Sequence, residues 1–242
     1  MKTRKNFYGR RISDETRRRQ NRGEGRKENY RPWIRVQENP SATATGSVTV
    51  DPYNGRSVHL LNTGQVIAWH ILRYDENISE IREQFPLDIK KTQEICRKYG
   101  ISHPGRNGPD GRTLRVMTSD FLVDFTDGSK KVYSVETDSH YIDRNDRRKH
   151  LLIEKTYWMD QNIPFIIITK KALESARIYC INIQSAFSAA QPEQVCDVYS
   201  YAEYLIAHHK IRVSMKSHVI MPDKLITPDI MQSYEKWKKK HG

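Results

Sequence analysis

The segment MTSDFLVDFTDGSKKVYSVETD, residues 117–138, constrains the fold of this chain more than any other. Two runs of alternating character flank TDGS, and a glycine in a short polar turn between such runs is the mark of a β-hairpin. Side chains of a strand alternate between its two faces. Phe121, Val123 and Phe125 therefore share one side, and Asp120, Leu122 and Asp124 the other. On the returning strand Ser134 and Glu136 lie together. A loop made of Asp127, Gly128 and Ser129 sets Asp120 opposite Glu136, whereas a two-residue turn would separate them, because register fixes the face of every side chain. The three-residue loop is the expectation carried forward.

Helix and strand patterns alternate around the hairpin. Val66, Trp69 and Leu72 recur at helical spacing between Asn62 and Tyr74, flanked by Ile67 and Ile71. ISEIREQFPL reads as a strand ended by Pro86, and KKTQEICRKYG as a short helix stopped at Gly100. A longer helix is predicted from about Asp143 to Gln161. The apolar run IPFIIIT that follows fits a strand covered on both faces. Together these predict an α/β nuclease-like domain with a central mixed sheet over residues 41–171, bounded at Lys170 and Lys171.

Residues 172–242 have a different pattern. PEQVCDVYSYAEYLIAHHK predicts a helix, KIRVSMKSHVIM a small hairpin, and TPDIMQSYEKWKKK a second helix with Thr227 as N-cap and Pro228 in its first turn. Helices followed by a short β wing predict a small winged-helix-like α+β module.

Charge points to a polyanionic partner. The net charge is +12, and residues 1–35 alone hold thirteen Lys or Arg against four Asp or Glu, a balance of +9. The expectation is a basic N-terminal arm over residues 1–40 that contacts DNA through Arg10, Arg11, Arg17, Arg18, Arg19, Arg22, Arg26, Lys27 and Arg31. Such segments gain affinity by releasing counterions from the phosphate backbone. The alternatives are a solvated tail and a targeting peptide, and the interleaved Tyr8, Tyr30 and Trp33 argue for an arm that docks on something. Cys96, Cys180 and Cys196 form neither a disulfide framework nor a Cys-x-x-Cys metal knuckle, which suits a reducing compartment. No apolar run approaches the ~18 residues of a membrane span, and no signal-peptide pattern opens the chain, so a soluble cytoplasmic protein is expected.

Metal-dependent DNA cleavage needs carboxylates to hold Mg²⁺ beside the scissile phosphate, and commonly a lysine to stabilise developing charge. In the restriction-endonuclease, or PD-(D/E)xK, fold these come from a helix and a central hairpin. Asp120 opens the first hairpin strand here, and Ser134-Val135-Glu136 occupies the second position.

The segments GEGRKENYRPWIRV, GRSVHLLN, ISEIREQFPLD, YGISHP, VMTSDFLVDF and IEKTYWMDQNIPFIIIT, in this order from about Arg10 to Thr169, resemble the TnsA family, the endonuclease subunit of Tn-seven-type heteromeric transposases. The resemblance implies a restriction-endonuclease-like core, a Mg²⁺ cofactor and a bacterial cytoplasmic setting. It also implies partners: double-stranded DNA at transposon ends, a DDE-type transposase subunit and an AAA+ ATPase regulator. Carried over by position, the family's helix glutamate falls on Gln65, its strand aspartate on Asp120, and its Gln-x-Lys on Ser134 and Glu136. Asp120 and Glu136 would be the metal ligands. Lys131, Lys149 and Lys155 are the nearest lysines that could replace the missing one.

Two function classes follow. One is a TnsA-like subunit that keeps its DNA and partner surfaces while its nuclease centre is degenerate, and that either pairs with an active TnsA-like paralogue or restricts the element to one-strand transfer. The other is an active Mg²⁺-dependent endonuclease that cleaves the 5′ strands through a rearranged centre. Gln65 and Glu136, one charge removed and one reversed, favour the first. Elsewhere, His208 and His209 diverge on a helix and read as a surface pair, His103-Pro104 shapes a turn, and Tyr157 and Trp158 read as core.

Overall fold

The structure, a computed structural model, describes residues 12–39, 45–108 and 111–241. A first helix, α1 (Asp14–Arg19), is capped by Ser13 and followed by irregular chain to residue 39. Then come the hairpin β1 (Ser47–Val50) and β2 (Ser57–Leu60), helix α2 (Thr63–Arg73), strand β3 (Ile78–Pro86) and helix α3 (Ile89–Lys98). A small ribbon, β4 (Gly105–Gly108) with β5 (Gly111–Leu114), precedes the central hairpin of β6 (Thr118–Phe125) and β7 (Lys130–Val135). Helix α4 (Asn145–Met159) leads to β8 (Phe165–Ile168). Helices α5 (Lys170–Ser175), α6 (Arg177–Phe187), α7 (Val198–Ala207) and α8 (Pro228–His241) complete the chain.

The main sheet has the order β3-β6-β7-β8, with antiparallel pairs β3/β6 and β6/β7 and a parallel pair β7/β8. It is the mixed sheet expected. Alternation splits its side chains between two cores. Phe121, Val123 and Val135 pack with Ile67, Ala68 and Trp69 of α2 and with Leu173 and Cys180 of α5 and α6. Leu122 and Val132 pack on the opposite face with Ile95 of α3 and Ile153, Tyr157 and Trp158 of α4. The sheet and the helices on its two faces thus form a helix–sheet–helix sandwich.

The central hairpin has the predicted face assignment and a shifted register. Phe121 pairs with Tyr133 and Asp124 with Lys130, and the Phe125 N–H donates to the Ser129 carbonyl at 2.9 Å. Continued outward, this register sets Asp120 across from Ser134, not Glu136. The loop is Thr126-Asp127-Gly128, one position earlier than expected, because Gly128 takes the left-handed conformation (φ +84°) that closes a three-residue hairpin loop. The parity is unchanged, so Asp120, Ser134 and Glu136 remain on one side.

Strand β8 lies at the edge of the sheet and is half-buried along its length, where the apolar run had suggested full cover. Its faces do meet both cores, through Phe165 on one side and Ile168 on the other.

Residues 12–39 fold back along β3. Tyr30 and Trp33 are buried, the Tyr30 hydroxyl donates to the Glu83 carbonyl at 2.9 Å, and the Trp33 N–H donates to the Gln84 carbonyl at 3.2 Å. This segment covers the edge of the sheet that β3 would otherwise expose.

The segment KIRVSMKSHVIM forms no strand; among the described residues, 208–227 holds only a short 3₁₀ turn, Pro222–Leu225. The reason is a single side chain. Buried Asn182 of α6 donates to the carbonyls of Met215 (2.7 Å) and His218 (2.8 Å) and accepts from the Ile220 N–H (2.9 Å). Three backbone groups of the loop are thereby satisfied without a ladder partner. No helix among the described residues is long and apolar enough to cross a membrane.

Candidate active site

Four sequence-predicted positions converge where β6, β7 and the start of α2 meet. Asn62 caps α2 by accepting from the Gln65 N–H at 2.9 Å, which fixes Gln65 in the first turn of the helix. The Gln65 side-chain oxygen accepts from the Leu61 N–H at 2.7 Å and from the Gln84 amide at 3.3 Å. With its oxygen so engaged, the Gln65 amide nitrogen faces Asp120 and donates to Oδ1 at 2.8 Å. The other carboxylate oxygen of Asp120 accepts the Val135 N–H at 2.7 Å, closing the end of the β6/β7 ladder.

Glu136 follows the last residue of β7 and is held by its own N–H, which donates to the Ile168 carbonyl at 2.9 Å. Its carboxylate is taken by Arg147, from the first turn of α4. Arg147 Nε donates to Glu136 Oε1 at 2.7 Å, and Nη2 reaches the same oxygen and Ser134 Oγ, the latter at 3.1 Å. The cation of this site is therefore an arginine that sequence reading missed. Lys131 instead sits over the Phe125 ring (4.8 Å), Lys155 is exposed, and Lys149 is only half-buried.

Two further groups belong here. Glu154 of α4 is buried at 3% exposure, and its Oε1 has no hydrogen-bond partner. Burial, then the neighbouring Asp120 charge, pushes its carboxyl up to about 8. Burial likewise pushes Asp120 up to about 6; the Val135 N–H and the Arg147 charge oppose this, while the Glu136 charge adds to it. The second group is Gln84, which β3 places across from Asp120 between the pairs Glu83–Phe121 and Phe85–Ser119. Gln84 has φ +49°, the left-handed region, and is almost fully buried. Non-glycine residues hold that conformation only where their surroundings over-determine it. The Gln84 amide supplies the reason, bridging Gln65 to Thr118 Oγ1 (3.3 Å).

The donors and acceptors present do not fit a hard divalent cation. Both Asp120 oxygens already accept N–H groups, Gln65 turns its donor inward, and a guanidinium occupies Glu136. Among the described residues no group of three or more His, Cys, Asp or Glu is placed to hold a metal ion.

The residues expected to contact DNA divide. Arg10 and Arg11 lie outside the described residues. Arg17 pairs with Asp14 (2.8 Å) and Glu38, and buried Arg22 pairs with Glu38 (2.6 Å). Arg26 clamps Glu80 and Asp124 on the sheet. Arg18, Arg19, Lys27 and Arg31 are exposed. His208 bonds the Ala190 carbonyl (2.8 Å) while His209 stacks near Tyr74, so the pair diverges. His103 bonds Thr92 Oγ1 and the Pro104 carbonyl, both at 2.9 Å, and shapes a turn. Tyr157 and Trp158 are core.

Residues 75–170 match the family described as TnsA-like endonuclease N terminal. The chain is also 33% identical over 153 residues to "Transposon Tn7 transposition protein TnsA" of Escherichia coli. Over residues 75–170 the chain is similar to TnsA-type endonucleases. The alignment covers 63% of this chain and 54% of that relative, so this chain spans about half the length of the curated relative it matches. The TnsA-like region runs from just before β3 to the start of α5 and holds Asp120, Ser134, Glu136, Arg147 and Glu154. Gln65 precedes it.

Proposed function

We propose that this chain acts in DNA transposition as a TnsA-like subunit at transposon ends, with a nuclease centre that no longer cuts. The observation that carries this is the hydrogen bond from the Gln65 amide to Asp120. An amide that donates to the aspartate satisfies it without a metal, and an amide oxygen turned to the Leu61 N–H offers nothing to a cation. Removing one group that stabilises transition-state charge costs ~10²–10³ in rate, and here two positions differ, Gln65 and Glu136. In this reading the chain keeps double-stranded DNA, a DDE-type transposase subunit and an AAA+ ATPase regulator as partners, and an active TnsA-like paralogue makes the 5′ cut.

A second reading, an active Mg²⁺-dependent endonuclease with a rearranged centre, draws support from Glu154, a third acid beside Asp120 with an unpartnered oxygen. Strand-specific cleavage decides between them. The protein is mixed with its transposase partner, Mg²⁺ and end-labelled transposon-end DNA. The expected outcome is little or no 5′-strand nicking. Robust nicking that Asp120→Ala abolishes would establish the second reading.

A further inference from the structure

Two buried carboxylates on one side of a sheet cannot both stay ionised without a compensating cation. In a metal-loaded nuclease the dication supplies it. Here Arg147 enters from the solvent side, its side chain 31% exposed while that of Glu136 is 6% exposed. It donates to Glu136 through both Nε and Nη2 and to Ser134 Oγ. Ser134 lies across the ladder from Asp120, and the guanidinium charge acts on that carboxyl as well. Helix α4 gives the arginine a fixed base, because Ile153, Tyr157 and Trp158 lock the same helix into the core.

We propose that Arg147 is a tethered counter-ion that fills the cation position of this site, so that the acids keep their arrangement without a divalent ion. The proposal rests on the TnsA-like reading of the site and concerns its regulation by charge, not its ability to cut. A guanidinium is always charged, presents planar donors to a carboxylate, and cannot diffuse away. Removing it leaves the buried Glu136 carboxylate without its counter-ion and takes a compensating charge away from Asp120.

The test uses the full chain and Mn²⁺ as the probe, with thermal melting and electron paramagnetic resonance as readouts. Arg147→Met keeps the stem's packing and removes the charge. It is expected to melt about 5 °C lower than wild type, in EDTA and in millimolar Mn²⁺ alike. Adding Glu136→Gln, which removes the uncompensated charge, should recover part of that loss. Wild type should show neither a shift nor bound Mn²⁺. Stoichiometric Mn²⁺ binding by wild type would overturn the proposal, as would an Arg147→Met variant that melts with wild type. If Arg147→Met does not fold, Arg147→Lys, which keeps the charge, should fold and bind no Mn²⁺; binding there also overturns it. Strand cleavage by wild type would instead sink the proposed function, so the two failures are distinct.

Discussion

The Gln65 amide presents Asp120 with a donor at 2.8 Å, where a carboxylate would present a repelling charge. That contact, with Arg147 on Glu136, leaves Glu154 as the acid of the cluster with an unpartnered oxygen, and burial raises it to about 8. The consequence is a pH dependence of stability with a definite sign. Glu154 ionises near 4.5 in the unfolded chain and near 8 in the folded one, so the folded state holds the proton longer. Stability is fully present below the unfolded value and falls as pH rises through that window. Asp120, raised from 3.8 to about 6, adds a loss of the same sign over a lower window. Urea unfolding midpoints between pH 5 and pH 8 should therefore decline, and Glu154→Gln should flatten the part of the decline above pH 6. A Glu154→Gln variant with an undiminished slope would show that the carboxyl is already ionised in the folded protein.

Elements whose hydrogen bonds are made locally or by alternation were legible in the sequence; those that depend on one distant side chain were not. The hairpin β6/β7, helix α2 and the stop of β3 at Pro86 follow from period and turn chemistry, which act within a few residues. The hairpin register was displaced because TDGS offers two three-residue loops. Only the demand for a left-handed residue at the last loop position selects the one ending at Gly128. At the site, Gln65, Asp120, Ser134 and Glu136 lie together, whereas Arg147, Gln84 and Glu154 carry no local signal. They matter only because α4 and β3 are laid against the hairpin. The loop after α7 is the clearest case. Alternation in KIRVSMKSHVIM suggests a hairpin, but Asn182, from a helix that ends before the preceding one begins, takes three of its backbone groups. Asn182→Ala leaves buried carbonyls and an N–H unpaired, at about 1–3 kcal/mol. It should lower thermal stability and open residues 208–227 to limited proteolysis. Unaltered protease resistance would mean the loop is held by its apolar contacts instead.

For the molecule as a whole, the basic N-terminal region is two things at once. Its inner half is a structural strap: Tyr30 and Trp33 are core, Arg22 is buried on Glu38, and Arg26 ties it to Glu80 and Asp124. Deleting residues 1–35 would therefore remove part of the fold along with the charge, and a loss of DNA binding in that deletion would say little. The exposed charges Arg18, Arg19 and Arg31 are separable from the strap, since among the described residues Arg18 makes no ion pair, Arg19 has only the surface contact with Glu15 at 3.1 Å, and the Arg31 side chain has only an exposed bond to the Gln20 carbonyl at 3.3 Å. Surface pairs of that kind contribute ~0–1 kcal/mol, so removing them leaves the fold intact. If these arginines reach DNA phosphates, each contact releases counterions and steepens the dependence of affinity on salt. The slope of log K against log salt should then flatten by about 0.9 for each one lost. The variant Arg18→Ala, Arg19→Ala, Arg31→Ala is accordingly expected to keep the wild-type melting temperature and to bind double-stranded DNA with a slope shallower by about 2–3. Arg22→Ala should do the reverse, melting lower because buried Glu38 keeps only the longer contact with Arg17 at 3.6 Å, with its salt slope unchanged. Fluorescence anisotropy over a salt series, with a melting curve for each variant, separates the two effects. An unchanged slope in the triple variant would place the DNA contacts of this chain elsewhere on its surface.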